Sequence, residues 1–164
     1  MKKKLLFIAL VAGCLALCSF KMYDWVTYKS EDTKFQAEFP VTPTVKKEVQ
    51  ENGTSYNISV ETEETIFSVY ASVFQTDRDS SPESLNNIFN SFKDVLKATA
   101  ESKTTFELDG QQGLEAKVKG EDIYINYRLL VVDNIVYQIT ATGSKDYLPA
   151  DDVTKFFDSF KLLK

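Results

Sequence analysis

The chain has 164 residues, 43% hydrophobic and 26% charged, which is the makeup of one ordinary globular domain rather than two. Histidine is absent, and both cysteines, Cys14 and Cys18, lie in an apolar N-terminal stretch, so the remainder holds no Ser-His-Asp or Cys-His nucleophile, no His-based zinc or haem site and no disulfide framework. The net charge is −5; setting aside Lys2, Lys3 and Lys4, the 19 basic groups fall to 16 against 24 acidic ones, a balance of −8 that makes nucleic acid a poor partner.

Residues 1–20 read as an export signal. Lys2-Lys3-Lys4 is a basic leader, and 5–20 is an unbroken run of apolar and small residues. A buried core helix would show polar residues every turn, and none occurs before Lys21. As a permanent span the run is short, reaching about 24 Å against a hydrocarbon core of about 30 Å. Val11-Ala12-Gly13-Cys14 is similar to the bacterial lipobox, which points to acylation of Cys14. Residues 15–20 stay apolar, as in a longer conventional signal cut near Cys18 or Ser19. Lipid anchoring, secretion and an uncleaved anchor all place residues 21–164, a single globular domain, outside the cytoplasm. The expected location is the bacterial periplasm or cell envelope, with the membrane contacted through the N-terminal segment.

From Tyr23 onward, short alternating runs separated by turn residues predict antiparallel strands. Strands are expected at 25–28 and 34–39, where Phe35, Ala37 and Phe39 alternate with Lys34, Gln36 and Glu38, and Pro40 and Pro43 close the pair. A hairpin at 44–50 and 54–61 turns through Asn52-Gly53 as a type I′ turn, and 66–75 follows as an apolar strand. Over 81–99 the period changes to 3.6: Leu85, Ile88, Phe89, Phe92, Val95 and Leu96 form one stripe, with Ser81 as cap and Pro82 at the first position. Four more strands are expected at 103–108, 114–119, 123–132 and 135–142, with short connections at Asp109-Gly110, Gly120-Glu121 and Asp133-Asn134 that make neighbours antiparallel. A closing helix carries Asp151-Asp152 in its first turn and Val153, Phe156, Phe157 and Phe160 on one stripe. The fold class is α+β, a mainly antiparallel sheet packed by two amphipathic helices.

Trp25-x-x-Tyr28-x-Ser30, then Phe35-x-Ala37-x-Phe39-Pro40-x-x-Pro43, and Phe156-Phe157-Asp158-Ser159-Phe160-Lys161 near the end resemble the opening and closing signatures of small exported domains of the PsbP-like kind. That resemblance extends to the Mog-type Ran-binding proteins and implies an α/β/α sandwich with an accessory, non-enzymatic role. It brings no catalytic or ligand residue with it.

Several groups invite a site. Asp77-Arg78-Asp79 and Asp151-Asp152 place carboxylates together, but neither pattern supplies the six to eight oxygens of a calcium loop, and a solvated loop and a helix start account for them. Asn52-Gly53-Thr54 and Asn57-Ile58-Ser59 match glycosylation sequons and read here as turn and strand. The many phenylalanines fall on core stripes rather than on a pigment or lipid pocket. Alternation along 123–132 puts Tyr124, Asn126 and Arg128 on one face, to which neighbouring strands would add Glu115, Lys117 and Lys119 on one side and Gln138, Thr140 and Thr142 on the other. Arg128 either holds a carboxylate ligand bidentately or pairs with Glu115 across strands. Tyr124, Asn126, Arg128 and Gln138 are thus the candidate ligand-binding residues, Cys14 the candidate lipidation site, and no catalytic residue, metal ligand or cofactor is implied.

The sequence therefore predicts an envelope accessory domain that binds another protein. The alternatives are a carrier holding a small or apolar ligand between helix and sheet and, last, a carboxylate-based hydrolase, for which no acidic pair stands in an apolar setting.

Overall fold

The computed structural model describes residues 23–144, 148 and 150–164, so residues 1–20, expected to be an export signal, and Cys14 lie outside the described residues. The strands are β1 (Val26–Ser30), β2 (Phe35–Phe39), β3 (Thr44–Gln50), β4 (Gly53–Glu61), β5 (Thr65–Phe74), β6 (Thr99–Leu108), β7 (Gln111–Lys119), β8 (Ile123–Val132), β9 (Ile135–Ser144) and β10 (Lys161–Leu162). Among the described residues two helices, α1 (Pro82–Leu96) and α2 (Ala150–Ser159), accompany them. The α+β class holds, and the strands divide into two antiparallel sheets. Seven run β3-β4-β5-β9-β8-β7-β6, and three run β1-β2-β10.

Each face of the large sheet buries its own core. On one, Leu85 and Phe89 of α1 meet Leu114, Ala116 and Val118 of β7 and Ile125, Tyr127 and Leu129 of β8. On the other, the small sheet and α2 deliver Phe35, Phe39, Phe156 and Phe160 against Ile58, Phe67, Val69 and Tyr137. Phe156 sits 5.2 Å from both Phe39 and Phe67, ring to ring, in tilted edge contacts that aromatic quadrupoles favour. The turn after β1 is tied in as well, because Thr33 bonds Ser30 through its backbone and hydroxyl while its carbonyl accepts from the Tyr137 hydroxyl at 2.8 Å.

Local chemistry explains the ends of α1. Ser81 Oγ accepts from Ser84 N, satisfying one of the free first-turn donors. Asp79 in turn accepts from both the backbone N–H and the hydroxyl of Ser81 at 2.8 Å, which holds its carboxyl below the usual carboxylate range. At the other end Lys97 adopts the left-handed conformation (φ 50°) and donates to Asp94 O, while Ala98 donates to Lys93 O.

Three expectations need correction. The hairpin between β3 and β4 turns through Glu51 and Asn52, neither at positive φ, so it is not type I′; Gly53 is already the first residue of β4. The type I′ signature occurs at Asp109 (φ 51°) and Gly110 (φ 79°). Val95, expected in the core, is 82% exposed, because it stands about 120° around the helix from the buried Phe89. Phe160 is buried, but it lies between α2 and the final short strand and stacks on Phe35, the ring centroids 5.2 Å apart.

Candidate functional site

The β7–β8 ladder sets Glu115 opposite Arg128, Lys117 opposite Asn126 and Lys119 opposite Tyr124. All six side chains therefore share the sheet face that α2 covers, and α2 stands off enough to leave a cleft of about 250 Å³. Its walls are Glu115, Lys117, Asn126 and Arg128 on the sheet and Val153, Thr154, Phe157 and Asp158 on the helix. Sequence reasoning anticipated the grouping of Tyr124, Asn126 and Arg128 with Glu115, Lys117 and Lys119, and the register brings these residues together.

Gln138 does not join them. It pairs with Leu129, whereas Ile139 is the neighbour of Arg128 and Ala141 that of Asn126. Gln138 consequently projects to the α1 side, where its Oε1 accepts from the Tyr127 hydroxyl at 3.0 Å. Burial pushes the Tyr127 phenol well above its usual pKa and keeps it a donor. Thr140 and Thr142 face the same way as Gln138. Tyr124 shares the face but does not line the cleft; Lys119 Nζ lies over its ring, 5.4 Å from the centroid.

Arg128 is the most connected member. Its Nε donates to Glu115 Oε2 at 2.5 Å, and Nη1 donates to the Phe157 carbonyl in the last turn of α2 at 3.3 Å. The guanidinium also lies between two rings, 5.1 Å from the Phe106 centroid and 5.0 Å from that of Phe157. A cation at a helix C-terminus complements the dipole, so Arg128 fastens α2 to the sheet. Among the described residues Lys117 and Asn126, by contrast, have neither an ion pair nor a side-chain hydrogen bond.

Phe106 and Phe157 were not singled out as partners of Arg128. A signal for Phe106 was present: with Asp109-Gly110 as the turn, the register sets Phe106 opposite Gly113, whose missing side chain gives the ring its place. The position of Phe157 depends on how α2 is docked, which no local pattern records.

The other candidates are structural. Asp79 serves Ser81, and Arg78 donates from its backbone to Asp133 O and stacks over Phe74 at 4.5 Å. Asp151 and Asp152 occupy the first turn of α2, where partial burial and then the neighbouring Asp151 charge raise the Asp152 carboxyl. Among the described residues no three His, Cys, Asp or Glu side chains gather as a metal site, and no helix is long and apolar enough to cross a membrane.

A seven-stranded antiparallel sheet with a helix on each face makes an α/β/α sandwich, and its fold is similar to that of PsbP. The solution structure of cyanobacterial PsbP (CyanoP) from Synechocystis sp. PCC 6803 superposes with a TM-score of 0.59 at 10% identity, over 88% of this chain and 96% of that one. A crystal structure from Bacteroides thetaiotaomicron VPI-5482 overlaps with a TM-score of 0.44 at 13% identity, over 84% of this chain and 48% of the other. No protein-family model and no curated protein matches the sequence.

Proposed function

We propose that the chain is an exported, non-catalytic accessory domain of the bacterial cell envelope, retained at the membrane by acylation of Cys14, and that it works by binding another protein at the cleft between β7, β8 and α2. The observation that carries this reading is the state of the cleft's charges. Arg128 and Glu115 neutralise each other and build the wall, while Lys117, Asn126, Thr154 and Asp158 offer donors and acceptors around the opening. Such a polar rim on a rigid scaffold sets partner choice and orientation. Export is supported by the leader and apolar run of residues 1–20, and retention by Val11-Ala12-Gly13-Cys14.

A carrier of a lipid or pigment fits the geometry poorly, because the cleft falls short of the roughly 300–1,000 Å³ of ligand pockets and is lined by four charged side chains. A small polar ligand is the second reading, favoured by the half-buried Asn126 amide inside the cleft.

Affinity capture from solubilised envelopes, comparing wild type with Lys117→Glu and Asn126→Leu, tests the first reading. A protein retained by wild type and lost from both variants supports it. An identical capture pattern, or thermal stabilisation of wild type by a small polar metabolite pool without any protein partner, overturns it. Anchoring is tested separately: Cys14→Ser releases the chain or leaves it unprocessed, and an unmodified N-terminus at Ser19 or Phe20 in mass spectra of the wild type refutes it.

A further inference from the structure

β3 forms one edge of the seven-stranded sheet, and all seven of its residues are exposed. An edge strand presents unpaired backbone donors and acceptors, which natural sequences guard with bulges, prolines or charges. The opposite edge, β6, is guarded in this way: its ladder shifts register between Ala100 and Ser102, and its Lys103 is tied to Asn86 Oδ1 of α1 at 2.8 Å. β3 runs in unbroken register along β4 and exposes two valines, Val45 at 45% and Val49 at 76%.

The sequence of this edge, Thr44-Val45-Lys46-Lys47-Glu48-Val49-Gln50, complements itself when reversed about Lys47. We propose that the chain self-associates through β3, a second copy pairing antiparallel to it across a two-fold axis at Lys47, so that two seven-stranded sheets become one. In that register Val45 lies opposite Val49 of the second copy, and Lys46 lies opposite Glu48, each contact occurring twice by symmetry. Among the described residues neither Lys46 nor Glu48 has an ion-pair partner within its own chain, so both charges are available. The two Lys47 side chains meet at the axis, but each already lies over its own Tyr56 ring at 5.2 Å with Asp32 Oδ2 at 4.0 Å. Sliding the pairing by two residues, the smallest slip that keeps the outward N–H and C=O groups of the two edges opposed, sets Lys46 against Lys46 or Glu48 against Glu48, so this register is the favoured one.

A seven-residue edge buries far less than the roughly 1,600 Å² of a standard interface, which makes the dimer weak in solution and stronger for copies confined to one membrane. The inference rests on β3 alone and stands whether or not the cleft binds a partner.

Sedimentation equilibrium on the full chain in detergent, up to about 1 mM, tests it. Glu48→Lys leaves positions 46 and 48 both basic, and Lys46→Glu leaves both acidic; each variant alone should associate at least about tenfold more weakly than wild type. Mixed in equal amounts they should recover wild-type association, because every 46–48 contact between unlike copies is again of opposite sign. Circular dichroism of each variant checks that the fold is kept. A monomeric wild type at the highest concentration, single variants that associate like wild type, as contacts through the N-terminal segment would give, or a mixture that stays monomeric overturns the proposal.

Discussion

Replacing Arg128 by alanine removes its ion pair with Glu115, its bond to the α2 carbonyl and its contacts with the Phe106 and Phe157 rings, and its cost follows from them. The pair with Glu115 is only partly shielded, the two side chains being 24% and 41% exposed, and a surface-type pair contributes about 0.2–1 kcal/mol. Two stacked rings add about 0.5–1 kcal/mol each, and the bond to the Phe157 carbonyl, at a helix C-terminus, about 0.3–1 kcal/mol. The sum is about 1.5–4 kcal/mol, above the small loss expected of a lone pair on a wet sheet face and overlapping only the lower part of the 3–5 kcal/mol or so of breaking a fully buried pair. In urea melts, with a slope of about 1–3 kcal/mol per M, the midpoint should fall by about 1 M. Arg128→Lys should recover only the charge contribution, since an ammonium cannot lie flat between Phe106 and Phe157 while reaching both Glu115 and the helix carbonyl. A loss below about 0.5 kcal/mol for Arg128→Ala, or a lysine variant as stable as wild type, would refute the clamp.

Three further outcomes are expected. Gly113→Ala brings a Cβ within 2.5 Å of the Phe106 ring and 2.7 Å of the Leu129 carbonyl, so it should cost about 1–3 kcal/mol in the same melts and, by displacing Phe106, lower the additional loss on replacing Arg128. Phe156→Ala empties a fully buried position between Phe39 and Phe67 and should cost about 3–5 kcal/mol, measured by thermal or urea unfolding; a loss under about 1 kcal/mol would mean that the α2 core is loosely packed. Because the Asp79 carboxyl is held below its unfolded value, the stability it contributes is present above the usual carboxylate range and disappears as pH falls through the folded pKa. Asp79→Ala should therefore be less stable than wild type at pH 7, with the two melting curves converging in acid; a gap independent of pH would assign the effect to the chain conformation alone.

Much of this architecture was legible locally. Alternation of Phe35, Ala37 and Phe39, the 3.6-residue stripe through Leu85 and Phe89, and Ser81-Pro82 at a helix start are decided by neighbours a few residues away, and each element formed where its pattern lay. The pairing of Glu115 with Arg128 also follows from strand order and short loops. Gln138 shows how little separates success from error: a side chain's face has period two, so placing it beside Asn126 amounts to a slip of one residue across Asp133-Asn134, which exchanges the two faces. Decisions made at long range left no local trace. The division into a seven-stranded and a three-stranded sheet, and the docking of α2 so that Phe157 meets Arg128, depend on how two whole faces pack. Local patterns determine which residues turn inward; tertiary packing determines what they meet there, because burial depends on surfaces brought together from distant parts of the chain.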